Sequence, residues 1–357
     1  MKSTRILYII DGFRAGGKEK QLMQILEQLE STGVETGIIT FNRNQFYTQM
    51  ARKKVLFFHE VDKASKVHMV RETAGLIKEF RPQLIHTWDD ISTIAALLPS
   101  RFRKILLVNG SIRDAGIDRG YNKFLKRILL SMSHTVVSNT YAGLHYYGVK
   151  GVVIRNLQSR RPIPEKTENG FNMVMTANFT DYKDHHTFLS ASVKLIEEEI
   201  VNRVYLIGEG IYRRKWEEWI GQYEGIRDRI VFTGQVGDVY EFLGRCTIGV
   251  LCSTRRYREG LSNSVLEYMA SGLVPVVTDI GASSEYIHHG INGILVPPED
   301  AGTLIDWIRK IRNDPGLQGR LRGAARDSVR KEFDPTKNFN RLMTLYKNLL
   351  PETFQTG

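Results

Sequence analysis

Thr247-Ile-Gly-Val-Leu-Cys252, then Glu259-Gly-Leu-Ser-Asn-Ser-Val-Leu-Glu-Tyr-Met-Ala-Ser-Gly272, then Leu273-Val-Pro-Val-Val-Thr278 succeed one another with a short polar loop between the first two. The outer runs are apolar and read as buried strands; the good helix formers from Val265 to Ala270 read as the helix joining them. Glu259 then sits on the loop at a strand's carboxyl end, and Glu267, eight positions on, in the first helical turn. Ligands of open α/β sheets bind at that edge, and first-turn amides with the helix dipole favour an anion there. Two carboxylates beside such a helix start suggest a nucleotide sugar, with acids for its hydroxyls and amides for its oxyanions.

The same β–α–β rhythm extends in both directions. Strand-like runs occur at Arg5–Ile10, Glu35–Thr40, Gln83–Thr87, Lys104–Asn109, His134–Ser138 and Gly151–Ile154. The rhythm restarts at Asn172–Thr176, Val204–Ile207, Ile230–Thr233, Thr247–Cys252, Val274–Thr278 and Gly293–Val296. Between Lys18 and Ser31, Leu22, Ile25, Leu26 and Leu29 form one helical stripe. The polar, proline-punctuated stretch Gln158–Gly170 is the best linker. At 357 residues the chain is comfortable for two α/β cores.

Glu-x7-Glu within the quoted segment resembles the signature of the family 4 retaining glycosyltransferases, which have the GT-B architecture. The resemblance covers nearly the whole chain. Gly16-Gly-Lys-Glu19 is similar to that family's Gly-Gly-x-Glu loop, and Asn178-Phe-Thr-Asp-Tyr-Lys183-Asp to its donor loop, written Arg-x4-Lys-Gly or Arg-x4-Lys-Asp. Leu206–Gly210, Val231–Gly234, Gly290–Pro297 and Leu345–Leu350 follow in the family's order. The fold class implied is α/β, with two Rossmann-like doubly wound parallel-sheet domains facing a central cleft. Residues 1–157 would be the acceptor domain and 158–335 the nucleotide-sugar donor domain, with 336–357 as a helix crossing back to the first.

The chemistry sets what the residues must do. Breaking a sugar–diphosphate bond builds negative charge on the phosphate and oxocarbenium-like charge on the sugar, so fixed cations and oriented dipoles are needed. The resemblance makes Lys183 the diphosphate cation. It makes Glu259 the carboxylate that holds sugar hydroxyls and stabilises charge, and Glu267 the ribose ligand. Gly260, Leu261 and Ser262 would present backbone amides, as would Gly16 and Gly17. Asn178 stands where the family has an arginine and brings no charge; Arg255, Arg256 and Arg258 are candidates to compensate, or an exposed basic loop. Ser264-x-x-Glu267 is also a capping-box pattern, in which the glutamate only satisfies a backbone N–H. On the acceptor side His86, Ser111 and Arg113 are candidates, and a structural role for His86 stays open. Asp89 and Asp90 read as a turn or cap, and neither His185-His186 nor His288-His289 has metal-ligand spacing, so no metal and no cofactor is expected.

Charge is uneven. Residues 1–157 hold 24 Lys and Arg against 13 Asp and Glu, whereas 158–357 hold 26 of each, so the first half carries the whole net charge of +11. That excess suits an anionic acceptor or peripheral contact with an anionic membrane, and equally a solvated surface. Nucleic acid is not expected, since no basic run interleaves with aromatics. Arg119–Met132 pairs Lys123, Lys126 and Arg127 with Phe124, Leu125, Ile128, Leu129 and Met132, the pattern of an interfacial helix or of one packed on a sheet. With two cysteines, no spanning segment and no leader pattern, the expected location is the cytoplasm, peripheral at the inner membrane face. The function implied is transfer of a sugar, UDP-linked, to a glycan or lipid-linked acceptor in cell-surface polysaccharide or glycolipid synthesis. The alternatives are a nucleotide-sugar 2-epimerase of the same architecture, or a catalytically weakened nucleotide-sugar-binding subunit.

Overall fold

The computed structural model describes residues 3–116, 119–158 and 170–352. The chain divides into unit 1, residues 1–159 with 335–357, and unit 2, residues 160–334. The expected linker at 158–170 lies outside the described residues apart from its end residues.

Unit 1 is built on β1 (Arg5–Ile10), β2 (Glu35–Thr40), β3 (Phe57–Glu60), β4 (Leu84–Thr87), β5 (Leu106–Ile112), β6 (Thr135–Ser138) and β7 (Val152–Val153). They form one parallel sheet in the order β3-β2-β1-β4-β5-β6-β7. Its helices are α1 (Gly17–Leu29), α2 (Thr48–Lys53), α3 (Lys66–Phe80), α4 (Asp90–Phe102), α5 (Gly120–Ser131) and α6 (Tyr141–Tyr147). Both faces of the sheet are covered, which is why β1 is a continuous buried run from Ile6 to Ile10 rather than alternating. Ile6, Tyr8 and Ile10 pack with α1, while Leu7 and Ile9 face the core that Met69 and Ile77 of α3 and Ala95 of α4 complete.

Unit 2 carries β8 (Met173–Thr176), β9 (Val204–Ile207), β10 (Ile230–Gly234), β11 (Ile248–Leu251), β12 (Val274–Thr278) and β13 (Ile294–Val296), all parallel in the order β10-β9-β8-β11-β12-β13. Around it lie α7 (His185–Glu197), α8 (Arg213–Ile220), α9 (Tyr240–Leu243), α10 (Asn263–Ala270), α11 (Ala301–Asn313) and α12 (Pro315–Glu332). The last helix, α13 (Pro335–Leu349), packs Phe339, Leu342, Met343 and Tyr346 into the core of unit 1.

Three elements of unit 1 differ from the sequence expectation. β3 was not anticipated: Phe57-Phe-His-Glu60 is a half-buried edge strand, short and without the long apolar run of its neighbours. β5 continues to Ile112, so Ser111 lies inside a strand and is buried. α5 turns its chemistry the opposite way from a water-facing helix. Lys126 is buried, 3.4 Å from Asp90 Oδ2 and 4.9 Å from the centre of the Tyr147 ring, while Phe124, Leu125 and Ile128 are exposed. Cys246 and Cys252 flank β11 as buried free thiols.

Candidate functional site

In unit 2 the strand order reverses between β8 and β11, the place where α/β sheets open a ligand crevice. The loops leaving these two strands bring Lys183 and Glu259 together. Backbone bonding fixes the first loop to the second. Lys183 bridges Ser253 in antiparallel fashion, Asp184 N–H donates to Cys252 O at 3.1 Å and Thr254 N–H to Tyr182 O at 3.0 Å. Asp184 then caps α7 by accepting from Thr187 N–H at 3.0 Å. On this frame the Lys183 ammonium forms an ion pair with the Glu259 carboxylate, each side chain only 12% exposed. The same carboxylate oxygen accepts from Ser253 Oγ at 3.2 Å. Tyr182 and Tyr257 stack at 4.3 Å, and Lys183 Nζ lies 5.9 and 5.5 Å from their centroids, within cation–π range.

The Glu259 backbone is clamped as well. Its carbonyl accepts from Ala282 N–H at 2.8 Å. Gly281, at φ +69°, makes that approach possible, because a Cβ there would lie 2.2 Å from the Glu259 oxygen. Gly260, Leu261 and Ser262 are buried at the start of α10, with Ser262 at the cap position and no side-chain cap bond. Glu267 is buried in the same helix. α10 begins two residues earlier than the helix formers suggest, so Glu267 is its fifth residue rather than a first-turn one. The capping box does not form: Ser264 is already inside the helix, and its hydroxyl donates to Thr176 O at 2.7 Å.

Asn178, Arg255, Arg256 and Arg258 are exposed. Arg255 pairs with Glu299 at 3.2 Å. His185, beside the lysine, stacks on Phe179 at 4.3 Å and holds Nδ1 3.1 Å from Lys183 O. Burial pushes its pKa down to about 4, so the ring is neutral at pH 7. Sequence reasoning missed Ser253, Tyr257 and Gly281 as parts of this frame. Nothing about them differs from an ordinary loop residue until the two loops are zipped together.

Unit 1 has its own strand-order reversal, between β1 and β4. Asp89 caps α4 by accepting from Ser92 N–H at 3.0 Å, and it also accepts from Asp11 N–H at 2.7 Å and from Lys18 Nζ at 3.2 Å. Trp88 Nε1 donates to Lys18 O at 2.9 Å. Asp89 and Asp90 are therefore occupied as a cap and as the partner of Lys126. Gly16 is the N-cap of α1, and a Cβ there would lie 2.3 Å from Glu19 Oε2. The Glu19 carboxyl thus sits at that helix start, its pKa raised by burial. Further along the sheet edge His86 is 1% exposed, with Nδ1 2.6 Å from Tyr346 Oη, which is in turn 2.9 Å from Tyr8 Oη. Burial and then the Arg113 charge hold its pKa well below the usual histidine value. Arg113 lies over Trp88 at 4.0 Å and donates to Gly110 O at 2.9 Å; burial lowers its pKa to about 10. A small cavity lined by His86, Trp88, Arg113, Arg155 and Asn156 opens beside them. His86 Nε2 and Ser111 Oγ have no hydrogen-bond partner among the described residues.

Residues 170–314 match the profile of the glycosyl transferases group 1 family. The lipopolysaccharide core biosynthesis glycosyltransferase LpsD of Rhizobium meliloti is 26% identical over 330 residues, covering 89% of this chain and 91% of that protein. The N-acetyl-alpha-D-glucosaminyl L-malate synthase of Bacillus anthracis is 22% identical over 271 residues, covering 71% and 70%. Among solved structures, Anabaena Alr3699/HepE in complex with UDP is similar, with a TM-score of 0.84 at 16% identity, covering 97% of this chain and 100% of that one. HepE has also been solved in complex with UDP-glucose. The fold is GT-B.

Proposed function

With residues 170–314 standing as a group 1 glycosyltransferase segment, we propose that the chain moves a sugar from a nucleoside-diphosphate donor to an acceptor with retention of configuration. The observation that carries this reading is the Lys183–Glu259 pair at the strand-order reversal of unit 2, with buried Glu267 in the helix that follows. Lys183 neutralises the leaving diphosphate. In the free protein that cation is already compensated by Glu259. A bound diphosphate competes for the ammonium and releases the carboxylate to hold sugar hydroxyls and the positive charge developing on the sugar. Amides at Gly260, Leu261 and Ser262 face the oxyanions, and Glu267 accepts from the ribose. The reading needs no metal, since Lys183 brings the cation.

Uridine is the base proposed, following the UDP held by HepE. A glycan or lipid-linked acceptor of polysaccharide or lipopolysaccharide assembly follows the name of LpsD. Unit 1 is proposed to take the acceptor, with His86, Ser111 and Arg113 as contacts and Gly16 and Gly17 as phosphate contacts. Its positive charge suits an anionic acceptor or the anionic inner face of a membrane. Proton NMR of early UDP-sugar hydrolysis tests the reading, with the released sugar expected to carry the donor's anomeric configuration. The opposite anomer removes retention, and absence of UDP release removes transfer. Uncharged Asn178 and the already compensated Lys183 favour one second reading, a nucleotide-sugar-binding subunit, which would bind UDP-sugar without releasing UDP.

A further inference from the structure

α4 and α5 each leave an apolar stripe in solvent. On α4 the residues Ile91, Ile94, Leu98 and Phe102 recur at helical spacing and are exposed, Phe102 to 85%. On α5 the stripe is Tyr121, Phe124, Leu125 and Ile128, with Tyr121 at 73% and Phe124 at 60%. The helices are joined where Lys126 of α5 reaches Asp90 of α4. That contact is what makes the face unusual: α5 buries Lys126 and offers Phe124 to water. Two exposed apolar stripes on neighbouring helices mark an interaction site rather than a solvated surface.

The charge around the face says what covers it. Between Asp89 and Lys150 the sequence has nine Lys and Arg against four acids, Asp89, Asp90, Asp114 and Asp118. Arg101, Arg103, Lys104 and Arg127 are exposed at or beside the stripes. A second copy of the chain would set this cationic rim against itself. An anionic lipid surface satisfies both parts, because phosphates meet the cations and the acyl boundary takes the apolar side chains. No helix among the described residues is long and apolar enough to cross a membrane, so the mode is docking within the interface. We propose that the outer face of α4 and α5 seats unit 1 on anionic phospholipid, with Leu98, Phe102, Phe124 and Ile128 inserted below the headgroups. This deepens the anionic-surface reading given above and is independent of the donor chemistry.

The test uses the full chain carrying Phe124→Cys labelled with nitrobenzoxadiazole, a substitution made selective by the burial of Cys246 and Cys252. Vesicles of phosphatidylglycerol with phosphatidylcholine should shift the label's emission to the blue, weakly at 1 M salt and strongly at ~0.1 M, where the screening length is near 10 Å. Leu98→Ser with Phe102→Ser and Ile128→Ser should lower vesicle partitioning by about a hundredfold, with UDP-sugar hydrolysis and thermal melting unchanged. Salt-sensitive binding with no blue shift, indifferent to the serine substitutions, overturns insertion while leaving the anionic-surface reading standing. Absence of binding to the anionic vesicles overturns both. A dimer in sedimentation that the serine substitutions dissolve makes the face a contact between copies and overturns the proposal.

Discussion

Lys183→Ala separates the two roles proposed for the Lys183–Glu259 pair, one in stability and one in turnover. Both side chains are only 12% exposed, and unit charges ~4 Å apart attract by about 4 kcal/mol at an effective dielectric constant near 20, before desolvation is subtracted. Removing the ammonium leaves the Glu259 carboxylate with the Ser253 hydroxyl at 3.2 Å and the Ala282–Gly281 clamp on its backbone. A stability loss of about 3–4 kcal/mol follows, at the lower end of the range for breaking a buried pair. Turnover should fall by about a hundredfold or more, roughly 2.7 kcal/mol of lost transition-state stabilisation. Lys183→Met with Glu259→Gln supplies the control, because it removes both charges and the cost of an uncompensated one. It should recover much of the stability and none of the turnover. Denaturant unfolding and UDP release on the same preparations measure both quantities. Turnover within a few-fold of wild type in Lys183→Ala would refute the diphosphate role, and a double substitution as unstable as the single one would refute the electrostatic account of the pair.

Further expectations follow from the same geometry. Glu267→Gln should weaken UDP binding by about tenfold, the worth of one charged hydrogen bond, in calorimetric titration; unchanged affinity removes Glu267 from the ribose. Gly281→Ala should destabilise the protein by about 1–3 kcal/mol, since it strains a left-handed position and pushes a methyl group against the Glu259 carbonyl. It should also depress turnover, because the loop carrying Glu259 must shift; a variant with normal melting and normal turnover contradicts the clamp. His185, with its folded pKa pushed down to about 4 by burial, should make stability fall with acidity. The unfolded chain takes up the proton near pH 6.5, so stability is full above that value and declines as pH drops towards 4, by up to about 3 kcal/mol. Unfolding curves of wild type and His185→Gln should diverge in that window, and parallel curves would show that the ring's burial is not coupled to folding.

The parallel-sheet architecture was legible because buried strands leave long apolar runs. Arg5–Ile10, Glu35–Thr40, Val204–Ile207 and Val274–Thr278 fall where the sequence puts them. Elements governed by context were not. The edge strand Phe57–Glu60 is too short and too half-exposed to stand out. The start of α10 was misjudged because Asn263 and Ser264 are poor helix formers that tertiary contacts hold in the helix, Ser264 through Thr176 O. The polarity of α5 could not be read from amphipathic spacing, which shows that a helix has two faces but not which one a neighbouring Asp90 will claim. At the candidate site, Lys183 and Glu259 could be named from sequence, but their direct pairing could not. It depends on an antiparallel bridge between residues 70 positions apart, Lys183 and Ser253.

Cleavage of a nucleotide sugar by unit 2 is measured as nucleoside-diphosphate release from UDP-, GDP- and ADP-sugars by the unmodified protein. Release from a UDP-sugar above the uncatalysed background is expected. No release from any of the three, with or without accompanying binding, would contradict cleavage.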